Sequence, residues 1–244
     1  MISVQPARLL ELTLPGPAEN VALDEALLRI SDETQAEPVL RLWELETYAV
    51  VVGRANRIEK NVDVAACRRD GVPILRRFSG GGTVLLGPGA LVYSLVLPVE
   101  AGDHLAQIGT ATSMILDRIR RAFDSRVGPL EQKGSSDLVS RAGKFSGNAQ
   151  RWLKRTLLHH GTLLYDFDIE RFERYLTLPE REPAYRQGRP HHEFVANLPL
   201  SQGELRQALR FAWNATLPPP AVPQELVGEL VRSRYADEEW TMRL

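Results

Sequence analysis

The sequence predicts an α/β (α+β) domain with a mixed, mainly antiparallel sheet flanked by helices. Three observations predict it. Short apolar runs bounded by glycine, proline and polar clusters recur along the chain, as strands require. Segments with apolar residues at i, i+3, i+4 and i+7 are set among them, as amphipathic helices require. The two kinds of segment do not alternate regularly, which argues for a mixed sheet rather than a doubly wound parallel one. The 244 residues fit one large domain, and 43% hydrophobic with 25% charged residues is ordinary for a globular chain.

Residues 9–14 read as an opening strand, ended by Pro15-Gly16-Pro17, and a helix follows. In that helix Leu23, Ala26, Leu27 and Ile30 form one buried stripe, with Asp24 and Glu25 on the outside. Residues 39–43 and 49–52 are strands, and Gly53-Arg54-Ala55-Asn56 breaks the second. A short helix near 62–69 leads through Asp70-Gly71 into a strand at 72–75, with further strands at 84–86 and 91–97. Ile108, Ala111, Ile115 and Ile119 mark a long amphipathic helix from about 103 to 123. Gly134-Ser135-Ser136-Asp137-Leu138 is a polar turn before another strand, and the strand at 156–164 contains His159-His160-Gly161. Residues 169–176 are helical, and 179–190 form a charged, proline-containing loop. Ser201-Gln202-Gly203-Glu204 has capping-box spacing and opens a helix to about Trp213. After Pro218-Pro219-Pro220 a last helix spans about 224–233.

Net charge is -1, so no global field draws the chain to nucleic acid or membrane. No apolar run is long enough to cross a bilayer, and Met1-Ile2-Ser3-Val4-Gln5 lacks the features of a signal peptide, so a cytoplasmic location is expected. The one cysteine, Cys67, rules out an internal disulfide framework and a four-cysteine zinc site. On its helix Cys67 reads as a small packed residue rather than a nucleophile.

The densest chemistry lies in Arg76-Arg77-Phe78-Ser79-Gly80-Gly81-Gly82-Thr83-Val84. Consecutive glycines leave backbone N–H groups open to an anion, and arginine adds planar donors for phosphate or carboxylate. The loop lacks the Gly-Lys-Ser/Thr of a Walker motif, and strand rather than helix follows it, so it is no dinucleotide fingerprint. Lys144, between Gly143 and Gly147, places an ammonium where it would neutralise a phosphate or a developing charge at an acyl group. Asp137 is a candidate magnesium ligand, since that ion usually takes one or two carboxylates plus phosphate oxygens. His159 and His160 face opposite sides of a strand and do not chelate one ion together. No serine–histidine–acid pattern is expected, because no serine sits in a strand-to-helix nucleophile elbow.

Taken in order, the glycine loop, then Gly143-Lys144-Phe145-Ser146-Gly147-Asn148-Ala149, then His159-His160-Gly161-Thr162-Leu163-Leu164 resemble the lipoate–protein ligase A branch of the biotin/lipoate ligase and octanoyltransferase superfamily. Asn20-Val21-Ala22-Leu23-Asp24-Glu25-Ala26, Val52-Gly53-Arg54-Ala55-Asn56, Ser136-Asp137-Leu138 and Arg234-Tyr235-Ala236-Asp237 extend the likeness from about residue 9 to 240. The resemblance implies a fold related to the catalytic domain of class II aminoacyl-tRNA synthetases. It implies that ATP, with Mg2+, converts lipoate or octanoate to an acyl-adenylate, and that the acyl group passes to a lysine of a carrier domain. By matched position Arg77, Gly80, Gly81, Gly82, Thr83, Val84 and Leu85 would bind ATP or the adenylate. Lys144 would be the catalytic lysine, touching acyl carbonyl and phosphate. Arg77, Ser79, His160 and Gly161 would contact lipoate, and Asp137 matches an aspartate near the magnesium. The implied partner is a glycine-cleavage H-type or 2-oxoacid dehydrogenase E2-type lipoyl carrier.

Leu86-Gly87 stands where many of these ligases carry His-Asp, and Ser136 where they usually have asparagine. Residues 1–244 match the large catalytic domain without the small C-terminal one, which implies a separate small accessory chain as a further partner. Two other readings stay open. One is an octanoyl or lipoyl transferase that needs no ATP, although residues 127–140 and 161–168 lack the cysteine that relays the acyl group in such relatives. The other is a non-catalytic binder of lipoate or lipoyl domains.

Overall fold

The computed structural model describes residues 5–99, 107–179 and 181–244. Its elements run β1 (Ala7–Glu11), α1 (Pro17–Thr34), β2 (Val39–Trp43), β3 (Ala49–Val52), α2 (Val64–Asp70), β4 (Ile74–Arg76), β5 (Val84–Leu86) and β6 (Ala90–Pro98). They continue with α3 (Ile108–Val127), β7 (Glu131–Lys133), β8 (Asp137–Val139), β9 (Lys144–Trp152), β10 (Thr156–Leu164), α4 (Glu170–Tyr175) and α5 (His191–Phe194). Last come α6 (Gln202–Ala212), β11 (Ala215–Leu217), α7 (Gln224–Leu230) and α8 (Glu238–Met242). Residues 103–106, where the long helix was expected to begin, lie outside the described residues.

Eight strands form one sheet in the order β11-β1-β2-β6-β10-β9-β8-β7, and β4-β3-β5 form a second. In the large sheet the β11–β1 and β1–β2 pairings are parallel and the other described pairings antiparallel. The mixed, mainly antiparallel sheet is therefore present, divided in two. β6 is buried along nearly its whole length because helices cover both of its faces. Its odd residues Leu91, Tyr93, Leu95 and Leu97 join the core under α3 and α6, while Val92 and Val96 join the core under α1. That alternation is the two-residue period of a strand read on both faces. Each such side chain contributes about 1.5–3 kcal/mol relative to exposure. A third cluster packs the small sheet against α2 and α4.

Several elements follow directly from local chemistry. Ser201 and Glu204 close the capping box at α6, with Glu204 N donating to Ser201 Oγ and Ser201 N to Glu204 Oε2. Asp63 caps α2 by accepting from Ala66 N at 2.8 Å. The expectation that Asp24 and Glu25 lie on the outside of α1 is corrected: they are 1% and 2% exposed. Helix α1 is wedged between the large sheet and α7, so it has little outer face. Arg41 neutralises Asp24, while Arg29, Arg234 and Tyr235 all bind Glu25. The charges survive burial because each meets an opposite charge.

Candidate active site

The site forms where α1, the glycine loop and strands β9 and β10 meet. Register sets His160 opposite Ser94 of β6 and Ala149 of β9, so the inner face of β10 looks onto α1. The loop from Phe78 to Thr83 folds over that face. Gly81 takes φ +81°, a left-handed conformation that a side chain resists, and a Cβ at Gly53 would strike the Gly81 carbonyl. Among the described residues no hydrogen bond uses the N–H of Gly80, Gly81, Gly82 or Thr83, and no atom lies within 4 Å of where a Cβ of Gly80 or Gly82 would sit. The loop thus offers unclaimed donors, as an anion-binding turn does.

Two adjoining cavities open there. One, of about 280 Å³, has an apolar floor of Val21, Trp43, Val51, Leu86 and Val92 and ends at Asp24, Arg77 and His160. The other, of about 390 Å³, is walled by Arg181, Arg186, His191 and Phe194. Both share a wall of Gly82, Thr83, Val84, Ser135, Ser136, Asp137, Lys144 and Gly147. An apolar pocket with a few convergent polar groups is the usual form of a small-molecule site.

Lys144 stands at the divide. Its Nζ donates to Asp137 Oδ1 at 2.8 Å, lies 5.9 Å from the centre of the Phe194 ring, and is one-quarter exposed. Asp137 Oδ2 accepts from the Tyr185 hydroxyl at 2.7 Å. Burial and then the Asp137 charge push the Tyr185 phenol up, so it remains a donor. Thr83 Oγ1 also lies at the divide, buried and without a protein partner. An orphaned hydroxyl beside an ammonium and open amides fits a phosphate-bearing ligand. For magnesium the fit is narrower. Asp137 is the residue that would hold it, and no cluster of three or more acidic, histidine or cysteine side chains occurs among the described residues. Such a donor set suits an ion held mainly by phosphate oxygens, whose charge it would neutralise there.

The closed end of the apolar cavity is built differently. Arg41, fully buried, donates Nη1 to Asp24 Oδ1 and Asn20 O, and Nη2 to Asn20 Oδ1, each at 2.7 Å. Asp24 Oδ2 accepts from Ser94 Oγ at 2.7 Å and faces His160 Nδ1 at 3.2 Å. Burial alone would raise the Asp24 carboxyl; Arg41, His160 and Ser94 outweigh it and hold the group below its ordinary value. His160 Nε2 then meets Ser79 Oγ at 2.7 Å, and Ser79 Oγ accepts from Arg77 Nε at 3.0 Å. The ionised Asp24 carboxylate can only accept, so Nδ1 carries the proton that faces it, and Nε2 of the neutral ring accepts the Ser79 hydrogen.

This chain corrects the expectation that no serine–histidine–acid pattern would occur: Ser79, His160 and Asp24 form one. They are brought together from a loop, a strand and a helix, so no contiguous motif announced them. Ser79 is fully buried, which makes it a link in the frame rather than an exposed nucleophile.

Other expected site residues fall as follows. Arg77 lines the cavity, but its donors go to Gly80 O and Gly82 O at 2.6 Å, to Val51 O at 3.1 Å and to Ser79. It splints the glycine loop from within, and burial lowers it to about 10. Gly81, Gly82, Thr83, Val84 and Gly161 line the apolar cavity, whereas Leu85 turns its side chain into the third core cluster. His159 points away from His160, is fully buried, and stacks on Tyr93 with ring centres 6.1 Å apart. Cys67 is buried in the third cluster, where burial and then Asp63 and Asp70 raise its thiol to about 11. Tyr185, Arg186, His191 and Phe194 were missed. Residues 179–190 read in sequence as a charged loop, and the repeated Arg and His beside aromatic residues are the one local sign of a wall.

The fold and the site define a domain with an apolar cavity on one side of a lysine and a more polar cavity on the other. Residues 16–206 match the model of the lipoyl protein ligase A/B catalytic domain, and the chain belongs to that family. It is 27% identical to lipoate-protein ligase A subunit 1 of Thermoplasma acidophilum, covering 97% of each chain. It is 24% identical to octanoyltransferase LipM of Brevibacillus brevis, over 93% of this chain and 95% of that one. A probable lipoate-protein ligase A of Mycoplasma pneumoniae is 32% identical over 66% of this chain but only 46% of its own length. Among solved structures, lipoate-protein ligase A bound with ATP matches with a TM-score of 0.84 at 23% identity, over 98% of this chain and 99% of that one. The bipartite lipoate protein ligase of Thermoplasma acidophilum matches with a TM-score of 0.83 at 24% identity, over 98% and 96%. At such identities the likeness shows the fold.

Proposed function

We propose that this chain is an ATP-dependent lipoate–protein ligase that activates lipoate, or octanoate, and transfers it to a carrier lysine. The observation that carries the reading is the position of Lys144 on the wall shared by an apolar and a polar cavity. In the first step a carboxylate oxygen of lipoate attacks the α-phosphorus of ATP, and the bond to pyrophosphate breaks. Lys144 and the free amides of Gly80, Gly81 and Gly82 face the charge that grows on phosphorus; Thr83 supplies a hydroxyl. Val84 and Leu85 carry the backbone that follows the loop. Arg77 fixes the loop, and Ser79, His160 and Gly161 shape the end of the lipoate pocket. In the second step the carrier amine attacks the acyl carbon, AMP leaves, and the amine loses a proton. Mg2+ held near Asp137 would neutralise phosphate oxygens. A carrier of E2 or H type, with a separate small accessory chain, is the proposed partner set, in the cytoplasm.

A second reading is favoured by the near full-length match to octanoyltransferases. Against it, Cys67 is buried in another core with a raised thiol. Incubating the protein, alone and with a small accessory domain, with ATP, magnesium, lipoate and an apo lipoyl domain separates the two. Lipoylated carrier with pyrophosphate release is expected. Acylation only from octanoyl-carrier, abolished by Cys67→Ala, would replace the ligase reading with transfer; binding without turnover would replace both with a lipoate or lipoyl-domain binder.

A further inference from the structure

On the outer side of the glycine loop the chain gathers arginines that the proposed chemistry does not use. Arg54 follows Gly53, which packs against Gly81, and its N–H donates to Ser79 O at 2.9 Å. Arg151 lies two residues past Ala149 on β9, hence on the strand face that borders the apolar cavity. Arg243 donates Nη2 to Arg54 O at 3.2 Å and stacks 3.6 Å from the centre of the Trp240 indole, where Arg234 also stacks at 4.5 Å. These groups repel one another. Burial, then the charges of Arg54 and Arg234, lower both Arg151 and Arg243 from the ordinary arginine range. The one carboxylate whose charge reaches Arg151 is Glu25, already bound by Arg29, Arg234 and Tyr235. Arg54, Arg151 and Arg243 form no ion pair among the described residues.

In a chain of net charge -1, such a cluster costs stability by repulsion, and free arginines would spread into solvent. Here the Trp240 indole face and the Arg54 carbonyl hold Arg243, and the bond from Arg54 N–H to Ser79 O keeps Arg54 beside the glycine loop. The phosphate-bearing ligand has its own cation and amides inside, at Lys144 and the glycine loop. What remains for the rim is a surface that arrives from outside. An acceptor lysine reaches the acyl carbon only if the protein around it sits on the rim. We infer that Arg54, Arg151 and Arg243 form a docking surface for an acidic face of the carrier domain, beside its acceptor lysine. This inference rests on the acyl-transfer reading of the cavity. Complementary charge speeds encounter and fixes register, and its effect fades as salt rises.

The test measures binding of an apo E2-type lipoyl domain and an apo H-type carrier by fluorescence anisotropy across a salt series. The proteins compared are the wild type, Arg54→Gln/Arg243→Gln and Arg54→Glu/Arg243→Glu. Pyrophosphate release from ATP and lipoate, without carrier, is followed in parallel and also reports that each variant is folded. The neutral pair should weaken carrier binding about tenfold at low salt, and the reversed pair about a hundredfold, with pyrophosphate release unchanged. A carrier with lysines in place of acidic residues beside its acceptor lysine should bind the reversed variant again. Carrier binding that ignores both variants, or that is absent in the wild type, overturns the docking surface. Equal loss of pyrophosphate release, or stronger arginine-dependent binding of a single-stranded RNA, overturns it as well. If the wild type binds carrier through these arginines yet never releases pyrophosphate, docking stands and the ligase reading falls.

Discussion

Two carboxylate–cation pairs border the same cavity and are built to opposite ends. The side chains of Asp24 and Arg41 are 2% and 0% exposed, and both oxygens of the carboxylate are met by arginine, serine or histidine. Asp137 and Lys144 are 12% and 25% exposed, and the lysine has a single carboxylate partner at 2.8 Å. The deep pair has no freedom to change partners without stranding a charge in a low-dielectric interior. The shallow pair can exchange an oxygen of Asp137 for an oxygen of a ligand at small cost, because solvent already shares the contact. One pair is locked into the frame and the other is open to a change of partner, although their distances alone would rank them equal.

The contrast can be broken from either side. Arg41→Ala should give the largest effect, a loss of about 3–5 kcal/mol in chemical denaturation, since it leaves Asp24 buried and unpaired. The double replacement Asp24→Leu/Arg41→Met should recover much of that loss; an Arg41→Ala protein as stable as wild type would show that the deep pair is no frame. Lys144→Ala should leave the melting temperature nearly unchanged, while lipoyl transfer drops by about 10²–10³. Near-normal lipoylation by that folded variant would remove Lys144 from the mechanism. The effect that is smallest near neutral pH concerns His159, behind the frame. Burial and the nearby His160 lower it to about 3, and neither ring nitrogen has a protein partner among the described residues. The unfolded chain, near the ordinary 6.5, takes up a proton that the folded chain refuses, so stability falls as pH drops from about 6.5 toward 3. The slope is at most about 1.4 kcal/mol per pH unit. His159→Leu should flatten that dependence, and an unchanged acid slope would place the lability elsewhere.

Much of this frame was legible in the linear sequence. The strands β2, β3, β6 and β10, the capping box of α6 and the glycine loop follow from period, caps and turn residues. So does the opposite facing of His159 and His160, one stacked on Tyr93 and the other hydrogen-bonded to Asp24. What stayed hidden depends on partners far away. Asp24 looked like a solvent residue because its partners, Arg41, Ser94 and His160, come from three different strands. β11 is three residues long and exists through its parallel pairing with β1, which no local pattern encodes. The wall from Tyr185 to Phe194 reads as loop until Tyr185 meets Asp137 and Arg186 lies over Phe194. Arg77 shows the same limit: its residue type suggests a ligand donor, while its bonds to the carbonyls of Gly80 and Gly82 depend on how the loop folds back.

Arg76, fully buried, donates Nε to Thr241 O at 2.9 Å and Nη1 to the carbonyls of Gly53, Arg54 and Asn56, while Trp240 Nε1 donates to Arg76 O at 2.8 Å. α8 is thereby moored to the strand that feeds the glycine loop. Anyone attaching a reporter or affinity handle to that helix is therefore working one strand away from the glycine loop, and a handle that displaces Trp240 or Thr241 would unfasten the strand that carries it.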